Sequence, residues 1–158
     1  MLTVNLIAVG KLKEDWLRRG LEEYRKRLEG YCRFRVTEIE EYRLPESPSP
    51  AQIAKGLKEE GKRILQKTGK GPLIAMCVEG KELSSPQFAR YLEQIQQTAS
   101  EVDLVIGGSF GLWDGVKEKA ALRLSVSPMT FPHQLFRVML AEQLYRAFSI
   151  SAGGRYHK

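Results

Sequence analysis

The chain has 158 residues, 42% of them hydrophobic and 28% charged, which fits one globular domain spanning 1–158 and leaves no room for two ordinary ones. No run approaches the roughly 18 apolar residues of a membrane span, two cysteines make no disulfide framework, and neither His133 nor His157 has a Cys or His at metal-ligand spacing, so no membrane segment and no metal are expected. Lys and Arg outnumber Asp and Glu 25 to 19, with the excess at the two ends: nine against five in residues 1–35, four against one in 137–158, and twelve against thirteen between. Such an excess suits either an anionic partner, nucleic acid being the usual one, or an ordinary solvated surface.

Residues 1–10 have no basic segment ahead of their apolar run, so 2–9 reads as a strand rather than a secretory signal, and the expected location is cytoplasmic. Residues 15–28 follow as a helix with Trp16, Leu17, Leu21, Tyr24 and Leu28 on one face. On the charged face Glu22 can pair with Lys26 and Glu23 with Arg27, which leaves Arg18 and Arg19 as candidate RNA contacts on a surface that is otherwise simply solvated.

Residues 34–42 alternate weakly as a second strand, and the proline-rich 45–50 is a loop. Ser49 before Pro50 suits an N-cap with proline at the first helical position, for a helix to about 67 that Thr68-Gly69-Lys70-Gly71-Pro72 stops. Residues 73–78 form a continuously apolar, buried strand. Ser85-Pro86 repeats the helix start, with Phe88, Ala89, Tyr91, Leu92 and Ile95 at helical spacing. A strand at 102–106, a brief helix at 115–121, a strand at 122–126 and a helix at 132–148 complete the order, ahead of the tail 151–158. This alternation predicts an α/β fold with a mostly parallel sheet and helices on both faces.

Ligands of open α/β sheets bind beyond the carboxyl ends of the strands. Three such ends look unusual, the third of them, after 73–78, only weakly. Val105-Ile106-Gly107-Gly108-Ser109-Phe110-Gly111 is either a plain tight turn or a place where backbone comes close to a ligand, and its spacing is not the dinucleotide fingerprint. Val126-Ser127-Pro128-Met129-Thr130-Phe131-Pro132-His133 is stiffened by two prolines that hold Ser127 and Phe131 extended. The backbone groups at Ser127, Met129, Thr130 and Phe131 need partners, which an adenine and a methionine-like tail would supply; a rigid connector is the alternative. Glu79-Gly80-Lys81 reads only as a turn.

The last helix is apolar nearly all round, which predicts burial on two sides, one against the sheet and the other against a second copy in a symmetric dimer. His133, Gln134 and Arg137 cluster near its start, and Glu142, Gln143 and Arg146 on the opposite side near its end. The tail is either disordered or folded over a site. In the second case Tyr156 would stack on a base, Arg155 and Lys158 would meet phosphates, and His157 would accept a proton.

In this order and at these spacings the motifs resemble, over the whole chain, the RlmH family of ribosomal RNA methyltransferases, small members of the SPOUT superfamily. They are Ile7-Ala8-Val9-Gly10-Lys11-Leu12-Lys13, Ile106-Gly107-Gly108-Ser109, Ser127-Pro128-Met129-Thr130-Phe131-Pro132-His133-Gln134, Arg137-Val138, Glu142-Gln143-Leu144-Tyr145-Arg146-Ala147 and Tyr156-His157-Lys158. The resemblance implies a SPOUT-type α/β knot, a deep trefoil near the C-terminus, and S-adenosylmethionine as cofactor. The cofactor would be held by Gly107, Val126, Ser127, Pro128, Met129, Thr130 and Phe131, and by Met76, where the family often has Leu. It implies a homodimer through the last helix, and methylation of N3 of pseudouridine 1915 in 23S rRNA on the assembled ribosome. The proton would go to His157, Tyr156 would orient the base, and Arg137 or Arg155 would stabilise charge on the uracil oxygens. A non-catalytic ribosome- or RNA-binding protein of the same fold is the rival expectation.

Overall fold

The computed structural model describes all 158 residues. The elements are β1 (Thr3–Val9), α1 (Asp15–Leu28), β2 (Arg33–Ile39), α2 (Pro50–Lys67), β3 (Leu73–Glu82), α3 (Ser85–Thr98), β4 (Glu101–Ile106), α4 (Asp114–Lys119), β5 (Leu122–Ser125) and α5 (His133–Ser151). The strands make one sheet in the order β2-β1-β4-β3-β5, and every neighbouring pair is parallel. No helix is long and apolar enough to cross a membrane.

The topology follows from the preference of parallel crossovers for one hand. The steps from β1 to β2 and from β3 to β4 run in one direction across the sheet, and α1 and α3 pack on one face. The steps from β2 to β3 and from β4 to β5 run the other way, with α2 and α4 on the opposite face. Strands covered on both faces must be apolar on both. In β1, Val4, Leu6 and Ala8 enter the larger core while Ile7 and Val9 enter the smaller one. α5 joins α1 and α3, placing Leu140, Leu144, Ala147 and Phe148 in the larger core.

Several boundaries differ from the sequence expectation, α5 running on to Ser151 among them, and three of the differences have a clear local reason. β2 stops at Ile39 and not at 42, because Gly10 turns away with φ +87° after its N–H bonds to Ile39 O at 2.8 Å, which leaves nothing for residues 40–42 to pair with. α3 is capped by Ser84, not Ser85: Ser84 Oγ accepts from Gln87 N–H while Gln87 Oε1 accepts from Ser84 N–H. The same Ser-x-x-Gln box opens α2 at Ser49 and Gln52. β3 runs on to Glu82 through a register shift between Met76 and Lys81. Trp16 stands 56% exposed rather than on the buried face of α1.

Candidate active site

A cavity of about 360 Å³ opens beyond the carboxyl ends of β3, β4 and β5. Its first wall is the exit of β4. There Gly111 donates back to Gly108 O at 3.0 Å and itself takes φ +88°. The bend is so tight that a Cβ on Gly107 would lie 2.2 Å from Gly111 O. The glycines are therefore required by a turn that brings bare backbone to the cavity.

The second wall is the excursion of β3. Met76 pairs with Leu124, residues 77–80 leave the ladder, and Lys81 rejoins it. Gly80 permits this, since a Cβ there would come within 2.7 Å of the Arg123 carbonyl. The Lys117 ammonium pins the excursion to α4 by an ion pair with Glu79 at 2.5 Å and holds that carboxyl below its ordinary range. Met76, 8% exposed, forms the floor.

The third wall is the loop 126–132. Ser125 Oγ accepts from Ser127 N–H at 3.3 Å, and Ser127 Oγ accepts from Met129 N–H at 2.9 Å. Two of the four backbone groups expected to be free are thus satisfied by serine hydroxyls. The N–H groups of Thr130 and Phe131 make no hydrogen bond within the chain, and neither does that of Val126. A concave site with an apolar floor, exposed backbone donors and a glycine bend fits the adenine, ribose and methionine parts of S-adenosylmethionine. Of the residues expected to hold the cofactor, Met76, Gly107, Val126, Ser127, Met129, Thr130 and Phe131 line the cavity, and Pro128 does not. Pro128 acts through the backbone it stiffens.

Cys77 and Lys117 were not among the expected site residues: Cys77 enters with the β3 excursion that carries the Glu79-Gly80-Lys81 turn, and Lys117 reaches it from α4. His133 lines the cavity from the first turn of α5. Burial lowers its pKa, partly offset by Glu41, with Arg137 and Lys13 adding to the lowering. His133 is a neutral imidazole near pH 7.

Arg137 is a correction. Its side chain is 1% exposed and closed in by partners: it bonds Glu38 Oε2 at 2.7 Å and donates to Gly10 O at 3.0 Å. Leu12 N–H and Gln134 draw the 10–14 loop into the same clamp, through Glu38 Oε2 and Lys13 N–H respectively. Arg137 has no surface to offer a base. It positions the start of α5 against the ends of β1 and β2.

The tail folds back on α5 through a Schellman turn. Gly153 takes φ +73° and donates to Ile150 O, and Gly154 donates to Ser149 O. Tyr156 then lies edge-on to Tyr145 at 4.7 Å, beneath the Arg146 guanidinium at 4.8 Å, with its hydroxyl donating to Glu142 Oε1 at 3.3 Å. Burial, together with the Tyr24 hydroxyl and the Glu142 carboxylate, pushes the Tyr156 phenol up to about 12. Arg146 pairs with Glu142 at 2.5 Å and reaches His157 Nδ1 at 3.1 Å. A guanidinium only donates, so His157 Nδ1 accepts and the proton sits on Nε2. Arg155 and Lys158 are exposed and in no ion pair.

Tyr156 and His157 do not line the cofactor cavity. Tyr156 reaches, through its bond to Glu142, the rim of a second hollow of about 430 Å³, which neither residue lines and which shares Val126, Ser127, Phe131 and Phe136 with the first. On α1, Arg19 is paired with Asp15, and Arg18 braces the loop by donating to Leu12 O and Lys13 O. Neither is the unpaired cation that the sequence suggested.

Residues 2–157 match the family described as "Predicted SPOUT methyltransferase". The chain belongs to the SPOUT methyltransferase family. As a SPOUT methyltransferase it takes S-adenosylmethionine as cofactor. It is 46% identical, over 99% of its length and all of the relative's, to the protein named Ribosomal RNA large subunit methyltransferase H of Ligilactobacillus salivarius (strain UCC118). The protein of that name from Carboxydothermus hydrogenoformans is 45% identical over the same share of both chains. A putative methylase family protein from Neisseria gonorrhoeae superposes with a TM-score of 0.54 over 99% of this chain and 86% of that one, at 11% identity. A probable methylase family protein from Haemophilus influenzae Rd KW20 does so at 0.52, over 99% and 70%, also at 11% identity. These two likenesses concern the SPOUT fold.

Proposed function

We propose that this SPOUT methyltransferase acts in the cytoplasm, as a homodimer, on the large ribosomal subunit, where it methylates N3 of pseudouridine 1915 in 23S rRNA. The observation that carries the methyl-transfer part is the cavity itself: a glycine bend and a proline-stiffened loop, with free backbone N–H groups, around an apolar floor. The full-length identity to proteins named for large-subunit RNA supports the substrate. We read the path of 126–132 into α5 as the threaded part of the family's knot.

Bound S-adenosylmethionine would supply a methyl group on a sulfonium, already a good electrophile. What remains for the chain is positioning and the N3 proton. Val126, Thr130 and Phe131 hold the cofactor through backbone, and Met76 closes its floor. Val126, Met129 and Phe131 are exposed, and Phe136 and Met139 half-buried, on a face that a second copy would cover. His157 is not ready to take a proton while Arg146 occupies Nδ1 and Nε2 is protonated. In our reading the tail exchanges these contacts when RNA and the second protomer arrive, freeing His157 as acceptor and Tyr156 to orient the base. Arg155 and Lys158 then meet phosphates.

The test offers labelled cofactor with free nucleosides, naked rRNA and intact ribosomes, read by the mass of the modified nucleoside. Transfer to ribosomes, giving an N3-methylated pseudouridine, is the expected result. Cofactor binding without transfer to any of the three would favour a non-catalytic binding protein.

A further inference from the structure

A larger hollow, about 790 Å³, lies beside the cofactor cavity and shares Ser109 and Phe110 with it. It sits at the ends of β1 and β4. The connections leaving these adjacent strands pass to opposite faces of the sheet, which opens the crevice where doubly wound sheets hold ligands. The cofactor cavity lies to one side, over β3, β4 and β5, so the crevice is left free.

Its chemistry is specific. Glu60, 9% exposed, lines it. Glu60 Oε2 accepts from Tyr42 N–H at 3.0 Å, whereas Oε1, beside Gly108, makes no hydrogen bond within the chain. That oxygen is open to the hollow and unpaired, so it can accept from a donor that enters. Phe110, 52% exposed, stands between the two hollows as an open aromatic face. Lys11 and Arg43 are exposed at the mouth. Of the remaining carboxylates, Glu38 is taken by Arg137 and Leu12 N–H, while Glu40 and Glu41 stand at the lip, where base N–H groups fit and phosphate does not. An acceptor inside, an aromatic face at the side and cations outside suit a nucleotide of an unpaired strand.

We propose that this crevice holds the RNA nucleotide next to the one being methylated, its base donating to Glu60 Oε1 and stacking on Phe110, with its phosphate near Lys11 and Arg43. The inference rests on the rRNA methyltransferase reading and adds a second base-binding site to it.

The experiment measures initial rates against ribosome concentration at saturating labelled cofactor, for the full chain and for Glu60→Gln. The Gln oxygen must stay with Tyr42 N–H, so its NH2, a donor, meets the base donor. KM for ribosomes should rise about five- to tenfold, the loss expected when a buried charge-assisted contact turns repulsive. Cofactor affinity by calorimetry should stay within about twofold, because Glu60 is outside the cofactor cavity. Leu57→Trp, which fills the hollow without removing the Tyr42 bond, should act likewise and covers the case of a Glu60 variant that does not fold. A KM within about twofold of the unaltered protein in the folded variants, or cofactor affinity falling in step with KM, would overturn the proposal. No transfer by the unaltered protein would overturn the methyltransferase reading, and this site with it.

Discussion

The two halves of α5 treat an arginine in opposite ways. Near the start, Arg137 is 1% exposed and held by Glu38 and by the Gly10 carbonyl, from segments about a hundred residues away in sequence. Near the end, Arg146 is 26% exposed and shares Glu142, Tyr156 and His157, all within eleven residues. The first arrangement fixes the helix to the sheet and so fixes the loop 126–132 that precedes it. The second can exchange partners at little cost, because its groups reach water. A rigid site for the cofactor and a movable one for the substrate are thus carried by one helix.

The comparison can be broken from the movable end first. Removing Tyr156-His157-Lys158 should abolish methyl transfer to ribosomes while cofactor affinity by calorimetry stays within about twofold, since no removed group lines the cofactor cavity. Retained transfer would refute the tail's role. At the rigid end, Arg137→Ala should lower stability by about 2–3 kcal/mol in denaturant unfolding, below the full loss for a buried pair because Glu38 keeps contact with water. Cofactor affinity should weaken with it, as the loop loses its anchor. Arg146→Ala should cost under about 1 kcal/mol, as partly exposed pairs do, yet still slow transfer. A larger stability loss at Arg146 than at Arg137 would reverse the comparison.

The smallest expected effect is on pH dependence. The pKa of His133 is lowered in the folded chain, chiefly by burial. Its contribution to stability is therefore present above the unfolded value of about 6.5 and is lost as pH falls through the folded value. His133→Gln should make the fall in stability between about pH 7 and 5 shallower. An unchanged slope in thermal unfolding would show that the imidazole is solvated.

Much of this architecture was legible in the residues. Ser49-Pro50 marked a helix start, and the continuous apolar run at 73–78 marked a strand that is buried as far as Met76, with Cys77 half-buried and Val78 exposed. By contrast α5, expected to be buried on two sides, is buried within the chain along one stripe through Arg137, Leu140, Ala141, Leu144 and Phe148. The glycine bend after β4 and the proline loop after β5 were both placed at the site. What escaped depended on partners distant in sequence. Arg137 looks like any helical arginine until Glu38 and Gly10 are brought to it. Asp15 lies within one turn of Arg18 and Arg19, but only the fold of the 10–14 loop shows Arg18 bracing it. The excursion at 77–80 follows from how closely β3 and β5 approach, which no spacing in β3 encodes.

The central claim is that the cavity bounded by β3, β4 and the 126–132 loop is where the sulfonium cofactor binds. Alkylation with iodoacetamide, read by intact mass with and without S-adenosylmethionine, tests it at one atom. Cys77 lines that cavity, and burial with Glu79 nearby raises its thiol pKa, so its adduct forms slowly. Cys32 is buried in the core, its thiol pushed up to about 12, and serves as a silent reference. A single adduct at Cys77 whose formation the cofactor suppresses is the predicted result. Equal rates with and without saturating cofactor would place the cofactor elsewhere.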